Sequence, residues 1–328
     1  MGDTECKRAS YELPGGGRYK PLEQSLSIEF SGRISPKLKD TVARLGTLLT
    51  YRMAERELEY LLGIHLSNTG IKKYTEEVGE RALKVEPKQI KFSNKEHISA
   101  QIDGGRVRTI EEDWKEVKVG IVVGEDNKLQ MSRICDHNTF MDEFCSLIRE
   151  HGYHTHLPTR NLVSDGAKWI GDDFFQRFPK IPQVLDYYHF KEHLHATAEA
   201  IYPGNKVEAD FWVERIKGLA FENKSEEIID VHTLEWQFQN SEENRVGSES
   251  VRKLTQYLWD NKEKIRYGKF KKLGYEIGSG KVEATIKTLL EYRMKSASKR
   301  WKLQNAKKLL ALRDVYFNNC WNMLSSIC

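Results

Sequence analysis

The sequence predicts an α/β fold, in which a mixed five-stranded sheet has helices on both faces. Two observations favour this fold class. Short apolar or alternating segments recur between residues 98 and 185, and segments with helical spacing separate the later ones. Long stretches of helical pattern also lie before the first and after the last of these short segments. We therefore expect a helical N-terminal region in front of the sheet and an α-helical insertion that interrupts it.

The first 95 residues are predicted to hold a lead-in followed by helices. Residues 1–35 include a run of three glycines and show little periodicity, so we expect them to be extended. From residue 36 to residue 95, apolar side chains recur at helical spacing. This second segment is the helical N-terminal region.

Two predicted helices in this region are joined by a tight turn. Ala54 to Leu62 and Ser67 to Val78 both have helical spacing, and Gly63 ends the first of them. The pair is a candidate helix-turn-helix that reads DNA, with Lys72 and Lys73 facing a groove. Any pair of antiparallel helices gives the same pattern, so both interpretations stay open.

Five strands are predicted, the first three consecutive and the last two each preceded by a helix. Helix-linked strands pair in parallel through right-handed crossovers, so this order predicts a mixed, RNase H-like sheet. We place the first part of this core at 96–190, the helical insertion at 191–265 and the completion of the core at 266–328. The predicted strands run from Ile98 to Asp103, from Val117 to Val123, from Leu129 to Cys135, from Asn161 to Ser164 and from Gln183 to Leu185.

Composition excludes several classes of protein. A chain of 328 residues that is 39% hydrophobic can bury a sizeable core. No apolar run approaches the roughly 18 to 20 residues that a membrane-spanning helix needs, and residues 1–10 do not resemble a secretory segment, so we expect a cytoplasmic protein. Five scattered cysteines with no CxxC pair argue against a disulfide framework and against a structural zinc site.

Basic charge is concentrated towards the carboxyl end of the chain. The formal net charge is only +4, but residues 261–313 contain 16 Lys and Arg and 4 Glu, with aromatic residues interleaved. Such a mixture binds phosphates through charge and bases through stacking. A solvated helical surface has the same composition, so this segment alone does not decide between the two.

Three carboxylates far apart in the sequence are the candidate metal ligands. Asp103 ends the first predicted strand and Asp165 the fourth, so both belong at strand ends of one sheet. Glu283 lies in the first turn of a predicted helix, at the edge of its apolar stripe. Cleavage of a phosphodiester needs both the entering and the leaving oxygen stabilised, which two divalent ions achieve. Since Mg²⁺ prefers oxygen ligands, three carboxylates are a suitable contribution from the protein.

Each of these acids also has a purely structural interpretation. Asp103 is a suitable turn residue before two glycines, and Asp165 is suitable as a helix N-cap or in an Asx-turn. Glu283 is suitable as the acidic member of a capping box. The separations of the three residues along the chain do not choose between these interpretations and a metal site.

Four motifs carry a resemblance to a known family. They are Ile102-Asp-Gly-Gly-Arg106, Val163-Ser-Asp-Gly-Ala-Lys-Trp169, Leu185-Asp-Tyr-Tyr-His189, and Ile277-Gly-Ser-Gly-Lys-Val-Glu-Ala284 followed by Arg293-Met-Lys295 and Arg300-Trp301. In this order and over most of its length, the chain resembles DDE-type insertion-sequence transposases of the Kra type. These are related to the Lre-type and Mutator-like transposases.

The resemblance implies an RNase H-like catalytic core that cleaves DNA and transfers strands with Mg²⁺ or Mn²⁺. It implies catalytic, metal-binding roles for Asp103, Asp165 and Glu283. Asp186 and His189 match an acidic and imidazole pair of the Mutator-like enzymes. His189 is therefore a fourth catalytic candidate that contacts the scissile phosphate or orients a carboxylate, although a strand-to-helix contact explains it equally well.

The implied partners are double-stranded DNA, as terminal inverted repeats and as target, and further copies of the chain; no membrane partner is expected. Trp301 is a candidate for packing or base stacking. The candidate phosphate contacts are Arg106, Lys168, Lys287, Arg293, Lys295 and Arg300.

One departure from the family keeps other functions open. Family members commonly carry a cysteine-rich segment at the amino end, where this chain has only Cys6. A degenerate or domesticated DNA-binding protein without catalysis is therefore one alternative. A structure-selective nuclease that uses the same three carboxylates is another.

Overall fold

The computed structural model describes residues 11–16, 18–19, 34–87, 91–154, 157–229, 245–295 and 299–325. The chain divides into two compact units. The first combines residues 1–87, 108–113 and 291–328, and the second combines residues 88–107 and 114–290. Most of the predicted lead-in and residues 230–244 of the predicted insertion lie outside the described residues.

From residue 36 onward the helices and strands follow the order along the chain that the sequence predicts, whereas the short paired strands at 11–12 and 18–19 were not predicted. Besides the labelled elements, residues 225–229 are helical, and short 3₁₀ or π turns cover Lys262–Lys264, Lys287–Glu291 and Trp321–Ser325. The labelled elements are β1 (Tyr11–Glu12), β2 (Arg18–Tyr19), α1 (Pro36–Leu48), α2 (Tyr51–Leu62), α3 (Asn68–Ala82), β3 (Ile98–Arg108), β4 (Trp114–Val123), β5 (Lys128–Arg133), α4 (His137–Glu150), β6 (Arg160–Ser164), α5 (Lys168–Arg177), β7 (Gln183–Leu185), α6 (Tyr187–Ile201), α7 (Lys206–Phe221), α8 (Arg245–Asp260), α9 (Tyr267–Lys272), α10 (Gly280–Ile286) and α11 (Leu303–Phe317).

In the first unit, α3 packs against α1 and α11. The side chains of Thr50 and Ser67 cap α2 and α3 by accepting backbone N–H bonds, and Gly63 ends α2 in the left-handed conformation at φ 63°. These caps produce the pair of helices that the sequence predicts around Gly63. The sequence places residues 266–328 in the core, whereas residues from Glu291 onward pack in this first unit.

The second unit is built on the mixed five-stranded sheet that the sequence predicts. The strand order is β5-β4-β3-β6-β7, in which β4 and β5 are antiparallel while β6 pairs in parallel with both β3 and β7. This is the order and pairing expected of an RNase H-like sheet.

Helices cover both faces of this sheet. Successive residues of a strand point to opposite faces. Leu162 packs in a core cluster with residues of α4 and α5, and its neighbour Val163 packs in a second cluster with residues of α6, α7 and α8. Trp212 of α7 is 2% exposed in this second cluster and so serves as a core residue.

Strand β3 is longer than the sequence predicts. The prediction ended it at Asp103, but it runs through two glycines to Arg108. A Cβ atom on Gly105 would lie 2.3 Å from Cδ1 of Leu290 and 3.2 Å from Cγ2 of Ile286. The missing side chain is therefore what allows α10 and the π turn after it to pack directly on the strand.

Within the described ranges, no helix combines the length and the apolar character needed to cross a membrane. The cysteines in these ranges, Cys135, Cys145 and Cys320, are free thiols, as the sequence predicts.

Candidate functional site

Three aspartates form a row across neighbouring strands. Asp103 and Asp165 each lie two residues beyond the last β3–β6 pair, which joins Gln101 to Val163. Asp165 and Asp186 each lie one residue beyond the last β6–β7 pair. If the pairing of these strands is extended by one or two residues, the three aspartates lie side by side. They lie at the carboxyl ends of the parallel strands β6 and β7 and at the level of these ends on β3.

Five hydrogen bonds hold residues 276–282 against the sheet. This segment leads into α10 and therefore fixes the position of Glu283. Each bond joins backbone of the segment to a residue of β3 or β6 or to one of the two residues that follow β7. The bonds run from Asn161 Nδ2 to Glu276 O (3.0 Å), from Tyr187 N–H to Ile277 O (2.9 Å), from Gln101 Nε2 to Gly278 O (3.3 Å), from Ser279 N–H to Asp186 Oδ1 (2.7 Å) and from Val282 N–H to Gln101 Oε1 (3.1 Å).

Helix α10 presents its apolar side to β3. Val282 and Ile286 are buried, while Glu283 is half-buried at the edge of this apolar side. The five residues Lys287–Glu291 that follow form a π turn, a local widening of the helix that recurs at functional sites. The packing therefore directs Glu283 along the sheet edge that carries the aspartates.

Each of the three predicted ligands has one oxygen anchored by a local hydrogen bond. Over the described residues, the second oxygen of each carboxylate accepts no hydrogen bond, which leaves it available to a ligand. The anchoring bonds run to Asp103 Oδ1 from Gly104 N–H (2.6 Å), to Asp165 Oδ1 from Ala167 N–H (2.9 Å) and to Glu283 Oε1 from the Ser279 hydroxyl (3.1 Å).

These bonds bear on the structural interpretations of the same residues. Asp165 does form an Asx-type turn, but Ala167 is the N-cap of α5. Ser279 is the N-cap of α10, and its hydroxyl bonds to the Glu283 carboxylate instead of capping a backbone N–H, so the pair is not a capping box.

The electrostatics of Asp103 link these groups. Burial raises the pKa of Asp103, the negative charges of Asp165 and Glu283 raise it further, and the Gly104 N–H bond and the charge of His189 oppose the rise. Burial and the two neighbouring acids make ionisation of Asp103 unfavourable. A divalent cation bound beside the three carboxylates would offset this cost.

The donor set fits hard divalent cations shared between ligands. Asp103, Asp165 and Glu283 offer only oxygen, as Mg²⁺ and Mn²⁺ prefer. No three acidic, histidine or cysteine side chains of the described residues are gathered closely enough to hold one ion together. A pair of ions requires less, because two carboxylates per ion leave the remaining positions to water and substrate oxygens.

Asp186 and His189 form a tight pair at the start of α6. His189 Nδ1 lies 2.6 Å from Oδ2 of the fully buried Asp186. This hydrogen bond, helped by the charges of Asp186 and Asp165, raises the pKa of His189 to about 9. Burial raises the pKa of Asp186, but the bonds from His189 and Ser279 outweigh it and hold that pKa below its usual value. The ring is therefore an imidazolium at neutral pH.

Sequence reasoning did not identify several residues that support the site. Tyr257 of α8 donates its hydroxyl to Asp165 O at 3.0 Å, and the ring of His193 lies 4.2 Å from the Tyr257 ring. Gln101 and Asn161 hold the segment before Glu283. The sequence signal for Gln101 and Asn161 was an amide side chain within an otherwise apolar strand. Such an amide does not indicate a role until its hydrogen-bond partner is known.

The predicted DNA contacts divide by exposure. Arg106, Lys168 and Lys287 in the second unit are exposed, and Lys168 lies 3.2 Å from Asp260. In the first unit, every cationic candidate that keeps at least partial exposure also has an acidic side chain within 4 Å. These candidates are Lys72, Lys73, Lys295 and Arg300.

Arg293 is a correction to the predicted phosphate contacts. Its side chain is 1% exposed, and Nε and Nη2 both donate to Gly46 O, at 3.2 and 2.9 Å. The guanidinium also lies over the rings of Tyr51 and Trp301, 4.6 and 5.2 Å from their centres. Trp301 is buried and donates Nε1 to Met294 O, so the packing interpretation of Trp301 is the one that its position supports.

Comparison with known proteins gives limited further information. No protein-family profile matches the chain. Over 86 residues the chain is 33% identical to the UPF0236 protein in vanSb 3′region of Streptococcus gallolyticus. This match covers 26% of the chain, and the chain spans 19% of the length of that curated relative. The relative's name states a gene neighbourhood and no activity.

Proposed function

We propose that the chain is a DDE-type transposase that cleaves DNA at the ends of an insertion sequence and joins them to a target. One observation carries the proposal. Asp103, Asp165 and Glu283 are distant in the sequence, yet the strand register and a hydrogen-bonded segment direct them to one sheet edge. Each keeps one oxygen available to a ligand.

In this proposal Asp103, Asp165 and Glu283 hold Mg²⁺ or Mn²⁺. The bound ions supply stabilisation of the entering and leaving oxygens of the phosphodiester. A local hydrogen bond to one oxygen of each carboxylate orients the three side chains.

His189 supplies positive charge for the DNA. Its Nδ1 is engaged by Asp186, which leaves Nε2 as a donor for the scissile phosphate. Because His189 influences the pKa of Asp103, its charge acts in the same region as the carboxylates. Exposed Arg106 and Lys287 are the proposed contacts to the DNA backbone on this unit.

A DNA-binding protein without catalysis is the second candidate. The observation in its favour is that no three candidate ligands in the described residues already surround a single ion position. A structure-selective nuclease is a variant of the first proposal, and its products would stop at hydrolysis without strand transfer.

The proposal is tested by a cleavage assay on the DNA that flanks the gene, with Mg²⁺ or Mn²⁺. We expect Glu283→Gln and Asp103→Asn to lower the cleavage rate by more than about a hundredfold, beyond the usual effect of residues that only support a ligand. The matched control is Glu276→Gln, an exposed acid seven residues before Glu283 whose carboxylate pairs with Lys281 at 2.8 Å. Undiminished cutting by either ligand variant removes the assignment. Equal DNA affinity with and without divalent ions, and no cutting, supports the second candidate.

A further inference from the structure

The side chain of Gln101 lies between the strand of Asp103 and the helix of Glu283. It is fully buried in β3, two residues before Asp103 and thus on the same face of the strand. Its Oε1 accepts from Val282 N–H at 3.1 Å, and its Nε2 donates to Gly278 O at 3.3 Å. One amide therefore holds both sides of the turn that begins α10.

This turn has little other support from its own side chains. The N–H groups of a first helical turn lack partners within the helix, and the N-cap Ser279 makes no side-chain bond to them. Val282 N–H also donates to Ser279 O at 2.9 Å, so Gln101 is its second acceptor. Gln101 is thus the residue that ties this N–H to the sheet instead of only to its own turn.

The position also explains why an amide is present. A buried amide destabilises a protein unless its donor and acceptor are both hydrogen-bonded. Here both atoms are satisfied by backbone of the segment that carries Glu283, and by no other described residue. A shorter amide, such as Asn, does not reach both partners from the same strand position.

We propose that Gln101 is a positioning residue that fixes the separation of the Asp103 and Glu283 carboxylates and thereby sets their affinity for a divalent cation. The inference rests on the proposed metal-dependent function, and it concerns a residue that no part of that proposal assigns. Gln101 acts through the backbone of α10 and contacts neither metal nor DNA.

The experiment compares Gln101→Met with Gln183→Met. Met preserves the length of the side chain and removes both hydrogen bonds. Gln183 is the matched control, because it lies in the same sheet and donates Nε2 to a helix carbonyl, Gly171 O at 2.8 Å, away from Glu283. Two quantities are measured, namely Mn²⁺ affinity by electron paramagnetic resonance and amide hydrogen exchange at Val282 in the metal-free protein.

We expect Gln101→Met to weaken Mn²⁺ binding by about tenfold, the lower end of the usual effect of supporting residues, and to speed exchange at Val282 by a similar factor. Gln183→Met should leave both unchanged. Gln101→Asn is the second variant, in case Met does not fold there. It keeps a polar group, and the same loss of Mn²⁺ affinity is expected.

The outcomes separate the inference from the function on which it rests. If the wild-type protein binds Mn²⁺, Asp103→Asn abolishes binding, and the folded Gln101 variants bind within twofold of wild type, the positioning role is overturned and the metal site stands. If the wild-type protein binds no Mn²⁺, the proposed function and the inference both fail.

Discussion

Gly105→Ala is the change whose effect follows most directly from the structure. The added Cβ would lie 2.3 Å from Cδ1 of Leu290, where about 3.5 Å is the closest comfortable separation of two carbons. The π turn must therefore retreat by about 1.2 Å, or the fully buried Leu290 must leave its rotamer. Overpacking of this kind costs about 1 to 3 kcal/mol, and the entropic gain of Ala over Gly returns about 0.5 to 1 kcal/mol. We expect a net loss of up to about 2.5 kcal/mol in the free energy of unfolding.

Where the π turn retreats, Glu283 moves with it, because Glu283 lies on the helix that precedes the π turn. A displacement of about 1 Å in a catalytic group commonly lowers the rate by about a hundredfold. We therefore expect Gly105→Ala to lower metal-dependent cleavage far more than its loss of stability explains. Urea unfolding and the cleavage assay on one preparation measure the two effects.

The control is Gly218→Ala on α7, where an added Cβ meets nothing within 4 Å. There the change should stabilise the protein by up to about 1 kcal/mol and leave cleavage unchanged. Combining Gly105→Ala with Leu290→Ala should cost less than the sum of the two single changes, because the second change removes the clashing atom. A Gly105→Ala protein as stable and as active as wild type would refute the packing argument.

Three further predictions concern charge, backbone and DNA binding. His189 has its pKa raised to about 9, so its pair with Asp186 stabilises the protein below about pH 6.5, and that stability is lost as pH rises through about 9. We expect a loss of about 1 kcal/mol between those values in chemical unfolding, allowing for solvent screening of the half-buried ring, and no such loss in His189→Gln. Gly63→Ala places a Cβ at φ 63° and should cost about 1 to 2 kcal/mol, so an unchanged melting temperature would contradict the assigned cap. Arg293→Met should destabilise the protein by about 2 to 4 kcal/mol without changing the salt dependence of DNA binding, whereas Lys287→Met should reduce the salt slope by about 1 without destabilising the protein.

The sequence predicted those parts of the fold that depend on local pattern. The five strands of the mixed sheet, their order along the chain and the helices around Gly63 follow from side-chain period and turn residues, which neighbouring residues determine. The end of β3 was predicted wrongly, because glycines usually break a strand. At Gly105 the absence of a side chain instead makes room for Leu290, which is far away in the sequence. No local sequence pattern shows that contact.

The acids of the candidate site were chosen from the sequence, whereas the residues that support them were not. Asp103, Asp165 and Glu283 were selected by motif and strand end, but the register that places Asp165 opposite Asp103 arises from pairing across the sheet. The role of Gln101 depends on a carbonyl 177 residues away. Arg293 was misassigned because a sequence motif does not show burial, and its partner Gly46 O is 247 residues distant.

The attachment of residues 276–282 to the sheet has a consequence for how such proteins diverge. Asn161, Gln101 and Asp186 bond directly to the backbone of the segment just before Glu283, so the position of Glu283 does not depend on the length of polypeptide between Asp186 and this segment. Doubling a connecting loop costs only about 0.6 kcal/mol of closure entropy. The intervening helices can therefore be lengthened, shortened or replaced during evolution while Glu283 stays in the same place relative to the sheet. The number of residues between the acids is thus a poor guide to whether two such proteins are related.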